Sequence, residues 1–210
     1  MKDQQKHIKD LSEIRNMMER ASKFISLSGI SGISAGIVAL AGAFLAWWHL
    51  NIYLPGKIST SEASINYNVN NSIILLFIIA MATFISAFTL AVIFTTRNSK
   101  KKRLPIWDHT SKRLLFNLFI PIFVGFLFIL ALIYYRYFLL IIPSSLVFYG
   151  LSLINAGHFT FRDIKILGYL EMCLGLISLI AIEWGLYIWA FGFGVLHIVY
   201  GSIMYFKYEK

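Results

Sequence analysis

Residues 72–95 read SIILLFIIAMATFISAFTLAVIFT, a run of 24 residues without a single charged side chain. A helix of this length rises about 36 Å at 1.5 Å per residue, which is enough to cross a hydrocarbon core of roughly 30 Å. Backbone polar groups find no water inside a bilayer, so a segment that crosses it must pair them internally. The stretch therefore predicts a transmembrane helix.

Apolar runs of similar length recur on both sides of this stretch. Six candidate spans cover residues 24–54, 72–95, 114–135, 137–157, 166–184 and 186–206. The 210 residues are 58% hydrophobic and only 14% charged, whereas soluble domains carry about 25% charged residues. The predicted fold is all-α: a polytopic membrane helical bundle of six transmembrane helices over residues 24–206, with a cytoplasmic tail at 207–210.

Basic residues predict the orientation of these spans. Of 19 Lys and Arg residues, 17 lie in the segments that six crossings place on one side, and only Lys57 and Arg136 lie on the other. Cytoplasmic loops carry an excess of Lys and Arg. We therefore expect both termini on the cytoplasmic side of the membrane.

Two segments on the predicted cytoplasmic side suggest interactions. Residues 1–23 place apolar side chains at helical spacing opposite charged ones, a pattern typical of an amphipathic helix. Such a helix lies on the membrane, continues into the first span or docks a partner. The basic cluster Lys100, Lys101, Lys102 and Arg103 is expected to contact anionic lipid headgroups. We expect no nucleic-acid binding, because so short a segment cannot form a nucleic-acid-binding fold.

Small residues recur at steps of three and four along several spans. Such a stripe allows another helix to approach closely, which is how helices associate in lipid. The predicted helix-packing seam consists of Gly29, Gly32, Gly36, Ala39 and Ala43 in the first span, Gly168 and Gly175 in the fifth, and Gly194 and Gly201 in the sixth. A seam of this kind serves the bundle itself, a second copy of the chain or a membrane partner protein.

Two ionisable residues lie within apolar runs, Glu171 in the fifth span and His197 in the sixth. An unpaired ionisable group in a membrane costs several kcal/mol. If the two spans form a hairpin that turns near Gly185, the residues lie about 21 Å and 18 Å from the turn, at nearly the same depth. We predict a buried polar pair that either shares a proton or binds a ligand, or that only fixes the bundle through a hydrogen bond.

The sequence offers few motifs for catalysis or metal binding. The chain contains no HExxH or Walker A motif. Its single cysteine, Cys173, cannot form an intramolecular disulfide or a thiolate metal cluster. We therefore expect no catalytic residue, no metal site and no cofactor.

Two segments carry a resemblance to known proteins. Leu27 to Ala43, LSGISGISAGIVALAGA, and Gly192 to Tyr205, GFGVLHIVYGSIMY, resemble a group of bacterial six-span inner-membrane proteins that have no assigned activity. The resemblance implies a location in a bacterial inner membrane. It transfers no catalytic residue to this chain.

Three classes of function remain open, and the sequence places them in an order. A non-enzymatic regulatory or assembly component comes first, favoured by the small size and the amphipathic segment. A small transporter or channel comes second, favoured by the Glu171 and His197 pair and by expected helix kinks at Pro121 and Pro143. An intramembrane enzyme comes last, because the sequence offers too few catalytic motifs to define an active site.

Overall fold

The computed structural model describes residues 28–53, 67–103 and 109–210, and every regular element in these ranges is helical. The amphipathic helix expected over residues 1–23, the first residues of the first predicted span and the loop that contains Lys57 lie outside the described residues.

Seven α-helices form the described chain: α1 (Gly29–Tyr53), α2 (Tyr67–Lys101), α3 (His109–Tyr134), α4 (Ile141–Ala156), α5 (Arg162–Ile180), α6 (Gly185–Trp189) and α7 (His197–Tyr208). Short 3-10 turns, Phe138–Leu140 and Ile182–Trp184, precede α4 and α6. A π-helical segment, Ala190–Leu196, joins α6 to α7 without a break. We call residues 185–208 the last span.

Five helical stretches are long and apolar enough to cross a membrane, namely Gly29–Ile52, Ser72–Lys101, His109–Tyr134, Phe138–Ala156 and Ile182–Tyr208. Many large apolar side chains point outward, where lipid would surround them; Ile78 is 55% exposed and Phe123 60%. The described chain is therefore a multi-pass membrane bundle. The remaining long helix, α5, has 19 residues and carries the four charged residues Arg162, Asp163, Lys165 and Glu171.

Several helix bounds differ from the sequence prediction. Helix α2 runs to Lys101 rather than ending at residue 95, so Lys100 and Lys101 lie in its last turn. Basic side chains interact favourably with the negative end of a helix dipole, which explains why the helix continues into the basic cluster. Pro143 is the third residue of α4, where a backbone N–H has no partner within the helix. The kink expected at Pro143 is therefore wrong.

The helices pack in a row that differs from their order in the chain. Helix α2 packs against α1, α1 against the last span, the last span against α5, α5 against α4, and α4 against α3. The last span thus lies between α1 and α5. A buried cluster of Leu153, Ile164 and Leu167 lies beside the last span and contacts Tyr149 and Tyr200.

Glycines bring α1 and the last span into backbone contact. A Cβ atom added to Gly32 would lie 2.9 Å from the Cα of Gly201, and one added to Gly201 would lie within 3.0 Å of three backbone atoms of α1. Ala39 and Ala43 are buried as well, and Gly194 faces the side chain of Leu40. Gly29, Gly32 and Gly36 of the first predicted span therefore face the chain's own last span, whereas Gly42 faces the side chain of Thr83 in α2.

A second glycine contact joins α4 and α5. A Cβ on Gly168 would lie 2.8 Å from the carbonyl oxygen of Gly150, and one on Gly175 would lie 2.9 Å from the backbone nitrogen of Val147. The small residues predicted in the fifth span thus face α4. Gly150, their counterpart on α4, is absent from the predicted seam.

Polar contacts tie four helix ends together at one end of the bundle. The backbone N–H of Gly29, at the start of α1, donates to the carboxylate of Glu209, just beyond α7. The Lys102 ammonium after α2 donates to the carbonyl oxygen of Tyr208 at 3.3 Å. Lys207 in α7 pairs with Asp163 in α5 at 3.1 Å. The start of α1, the end of α2, the start of α5 and the end of α7 therefore meet here, and we call this region the basic end.

Candidate functional site: a buried network of Tyr149, His197 and Glu171

Glu171 lies on the inner face of α5 and is fully buried, with 0% of its surface exposed. Its neighbours on that face are Gly168, Gly175 and Ser178, which are also buried. These small residues allow α5 to approach α4 and the last span, so the carboxylate is enclosed by helices. His197, the first residue of α7, is 6% exposed.

The structure brings Glu171 and His197 together. Nδ1 of His197 lies 3.3 Å from Oε1 of Glu171 and 3.1 Å from the carbonyl oxygen of Gly192. On the other side of the ring, Nε2 lies 2.7 Å from the hydroxyl oxygen of Tyr149 in α4. One imidazole therefore links α4, α5 and the last span.

The carboxylate of Glu171 is near the imidazole but does not receive a directed hydrogen bond from it. The Nδ1–H group points at the Gly192 carbonyl, and neither oxygen of Glu171 has a hydrogen-bond partner among the described residues. A buried carboxylate without hydrogen bonds is costly when it is ionised. The site is therefore polar and closed, with unused capacity for hydrogen bonding at the carboxylate.

Gly192 belongs to the π segment and serves the site in two ways. Its carbonyl oxygen accepts from the His197 side chain, because the wider π turn changes which backbone groups are paired. Its Cα faces Glu171: a Cβ at this position would lie 3.3 Å from the carboxyl carbon and closer still to Oε2. Only glycine fits here without displacing the carboxylate.

Aromatic rings enclose the imidazole. Phe193 stacks on His197 with ring centroids 5.9 Å apart, and it also packs against Tyr149 at 4.8 Å and Trp189 at 4.9 Å. These rings exclude water and lower the local dielectric constant, which strengthens the interaction between charges inside the site.

The imidazole of His197 has hydrogen-bond partners whether it carries one proton or two. With a neutral imidazole, Nδ1–H donates to the Gly192 carbonyl and the Tyr149 hydroxyl donates to Nε2. With an imidazolium, Nε2–H donates to the Tyr149 oxygen instead, because a hydroxyl both donates and accepts. The added positive charge then faces the Glu171 carboxylate at 3.3 Å. Both protonation states therefore have partners for every imidazole nitrogen.

Sequence reasoning named Glu171 and His197 but not Tyr149 or Gly192. Tyr149 carries a hydroxyl group inside an apolar run, and a buried tyrosine hydroxyl usually has a hydrogen-bond partner, so a signal for it exists. Gly192 has no such signal, because the π segment depends on the packing of neighbouring helices. Of the basic cluster, Lys100, Lys101 and Arg103 are exposed, and their contact with anionic lipid stays a prediction.

Among the described residues, no group of three His, Cys, Asp or Glu side chains is arranged to hold a metal ion. Comparison of the chain with protein-family models, curated protein sequences and solved structures gives no match. The resemblance to bacterial six-span proteins therefore stays a prediction. The fold and the site define a multi-pass helical membrane protein with a buried polar network.

Proposed function

We propose that the chain crosses a bacterial inner membrane six times, with both termini in the cytoplasm. Five of the six crossings are the apolar stretches described above, and α5 would be the remaining one. The distribution of charge along α5 supports this. Arg162, Asp163 and Lys165 lie in its first turn, beside the basic end, so only Glu171 has to lie within the hydrocarbon layer. The basic end carries the Lys and Arg excess that is typical of the cytoplasmic side.

We propose further that the protein is a small transporter in which the Glu171 and His197 pair carries a coupling proton. One observation supports this most: a fully buried carboxylate, 3.3 Å from an imidazole, has no hydrogen-bond partner among the described residues. A pair that served only to hold helices together would gain more stability from a directed hydrogen bond. Ionisable side chains that face the interior of membrane bundles are typical of proton relays.

Packing of α1 is the reason to prefer transport over the assembly role that the sequence placed first. That role rests on the small size of the chain and on the amphipathic segment, and a seam of small residues open to a partner would add support to it. Gly32 and Gly201 instead bring α1 and the last span together within one chain. These glycines of α1 therefore pack within the bundle and are not open to a second copy of the chain.

The proposed cycle begins from the closed conformation. Glu171 is sealed by α4, α5 and the last span, which corresponds to an occluded state. Movement of the last span relative to α5 would open the carboxylate to one side of the membrane. The π segment beside Glu171 is the irregular part of that span, and such segments are common at functional sites. Reorientation of the Tyr149 hydroxyl would keep His197 paired as protons exchange.

Helix α2 favours the second candidate function, a non-enzymatic regulatory or assembly component. It has 35 residues and packs mainly against α1. Its outer face carries exposed apolar side chains, including Ile74, Ile78 and Ile85. Lipid covers such a face in a monomer, whereas in an assembly a helix of another membrane protein covers it.

Infrared spectroscopy of the protein in lipid vesicles tests the proton role. A protonated carboxylic acid has a carbonyl stretching band that is separate from the bands of a carboxylate. We expect acidification to produce a band that Glu171→Gln removes and that exposed Glu183→Gln leaves unchanged. We also expect this band to shift in D2O, because a site that opens exchanges its proton with solvent.

Two results would overturn the transport proposal. A Glu171 carbonyl band that does not respond to D2O in the folded protein means that the site stays closed. Spectra that are identical in the native protein and in Glu171→Gln at every pH mean that Glu171 never takes up a proton. Either result favours a purely structural network and the assembly role.

A further inference from the structure

A second polar site lies where α4 connects to α5, outside the buried network. An open pocket of about 260 Å³ is lined by Gly157, His158, Thr160, Arg162 and Lys165. Its volume is below the range of about 300–1,000 Å³ typical of pockets for drug-sized ligands. Its charged lining residues, Arg162 and Lys165, are both basic. We call it the α4–α5 pocket.

The positive charge of the pocket is not neutralised by the described residues around it. The Lys165 ammonium donates to Nδ1 of His158 at 3.1 Å, which leaves its charge in place. Arg162 makes no hydrogen bond or ion pair to another described residue. Asp163 lies next to it in the chain, but its carboxylate is bound by Lys207 at 3.1 Å and by the Tyr208 hydroxyl at 3.0 Å.

Gly157 shapes the pocket. A Cβ at this position would collide with Cγ of Lys165 and would lie 3.1 Å from its backbone nitrogen. The missing side chain therefore lets the stem of Lys165 lie across the turn that follows α4, which brings its ammonium group to His158. The two cations Arg162 and Lys165 at one small pocket repel each other unless an anion joins them.

We propose that the α4–α5 pocket binds a phosphate group. Arg162 offers the planar fork of donors that matches phosphate oxygens, and Lys165 adds a compact charge. Because Nδ1 of His158 accepts from Lys165, the neutral ring carries its hydrogen on Nε2, which is a further donor. The phosphate belongs either to a lipid headgroup at the membrane surface or to a soluble phosphate compound, and both present the same tetrahedral anion to these side chains.

Two probes distinguish these sources, using the full chain purified in detergent without phosphate. Inorganic phosphate is titrated by calorimetry, and binding of phosphatidic acid against phosphatidylcholine is measured by native mass spectrometry. Whichever of the two probes binds, we expect Arg162→Gln and Lys165→Gln each to weaken its binding about tenfold, since a charged hydrogen bond is lost. Lys112→Gln, which removes an exposed lysine outside the pocket, should leave binding unchanged.

Each outcome decides the proposal. Binding of phosphatidic acid alone identifies a lipid headgroup, and binding of inorganic phosphate identifies a soluble ligand. Gly157→Ala should weaken either interaction without a change of charge, because it displaces Lys165. The proposal is overturned if neither probe binds, or if Arg162→Gln, Lys165→Gln and Lys112→Gln all bind alike. Glu171→Gln should bind phosphate normally, so this site is tested separately from the proton role.

Discussion

His197 and Glu171 face each other from different helices, with Nδ1 of the imidazole 3.3 Å from Oε1 of the carboxylate. The opposite ring nitrogen is held by Tyr149 at 2.7 Å, while the carboxylate oxygens have no hydrogen-bond partner among the described residues. Hydrogen bonds therefore hold the imidazole of His197 in place, whereas none holds the carboxylate of Glu171. In the proposed function, the proton exchanges at this carboxylate while the imidazole stays anchored.

Replacing Tyr149 by Phe tests the anchored side. The variant removes the hydroxyl that pairs with Nε2 of His197, so we expect the free energy of unfolding to fall by about 1 kcal/mol. Tyr169→Phe is the matched control, because Tyr169 is 51% exposed on α5. Thermal unfolding in detergent measures both variants. Equal stability of Tyr149→Phe and Tyr169→Phe would show that the hydroxyl does not anchor the imidazole.

Two buried serines predict opposite effects of the same substitution. Ser152 and Ser178 are both 0% exposed, but the Ser152 hydroxyl donates to the Leu118 carbonyl, whereas Ser178 has no partner among the described residues. Ser152→Ala should cost about 1 kcal/mol, and Ser178→Ala should be neutral or stabilising, because it removes an unpaired polar group. A clear loss of stability in Ser178→Ala would mean that its hydroxyl is paired in the folded protein.

The contact between α1 and the last span is tested by two glycine substitutions. A Cβ on Gly201 would lie within 3.0 Å of backbone atoms of α1, whereas the nearest atom to a Cβ on Gly185 is 3.5 Å away. Gly201→Ala should therefore lower the free energy of unfolding by about 1–3 kcal/mol through overpacking. Gly185→Ala should not lower it. Similar stability of the two variants would contradict the close packing of these helices.

Membrane orientation is tested by single cysteines in a chain whose native Cys173 is replaced by serine. Lys210→Cys lies at the basic end, so a membrane-impermeant thiol reagent should label it only after the membrane is opened. Tyr135→Cys, in the turn after α3, should be labelled in intact cells. The reverse pattern of labelling would invert the proposed topology, and labelling of both sites in intact cells would exclude an odd number of crossings between them.

Much of the architecture can be predicted from the length of the apolar runs, because a bilayer forces each long apolar run into a helix. The expectation that Glu171 and His197 lie at a similar depth also comes from sequence, since it needs only the rise per residue and a nearby turn. The helix that packs against a glycine stripe cannot be predicted in this way. Gly29, Gly32 and Gly36 predict a close neighbour for α1, but only the fold identifies it as the last span.

The third member of the site escaped prediction for a related reason. Tyrosines are common at membrane interfaces, so the hydroxyl of Tyr149 indicates that a partner is needed but does not identify that partner until the opposing helix is known. The π segment is a still harder case. Its seven residues, Ala190–Leu196, have an apolar and glycine-rich composition that is equally compatible with an ordinary α-helix in a membrane.

Labelling by dicyclohexylcarbodiimide tests most directly whether the site of Glu171 opens. This apolar reagent enters lipid and forms a covalent adduct with protonated carboxyl groups, which mass spectrometry locates. Glu171 is sealed in the described conformation, so an adduct requires both protonation and separation of the helices. We predict an adduct on Glu171 in the folded native protein and none at position 171 in Glu171→Gln. Labelling of Glu171 only after the protein is denatured, at every pH tested, would contradict the proposed function.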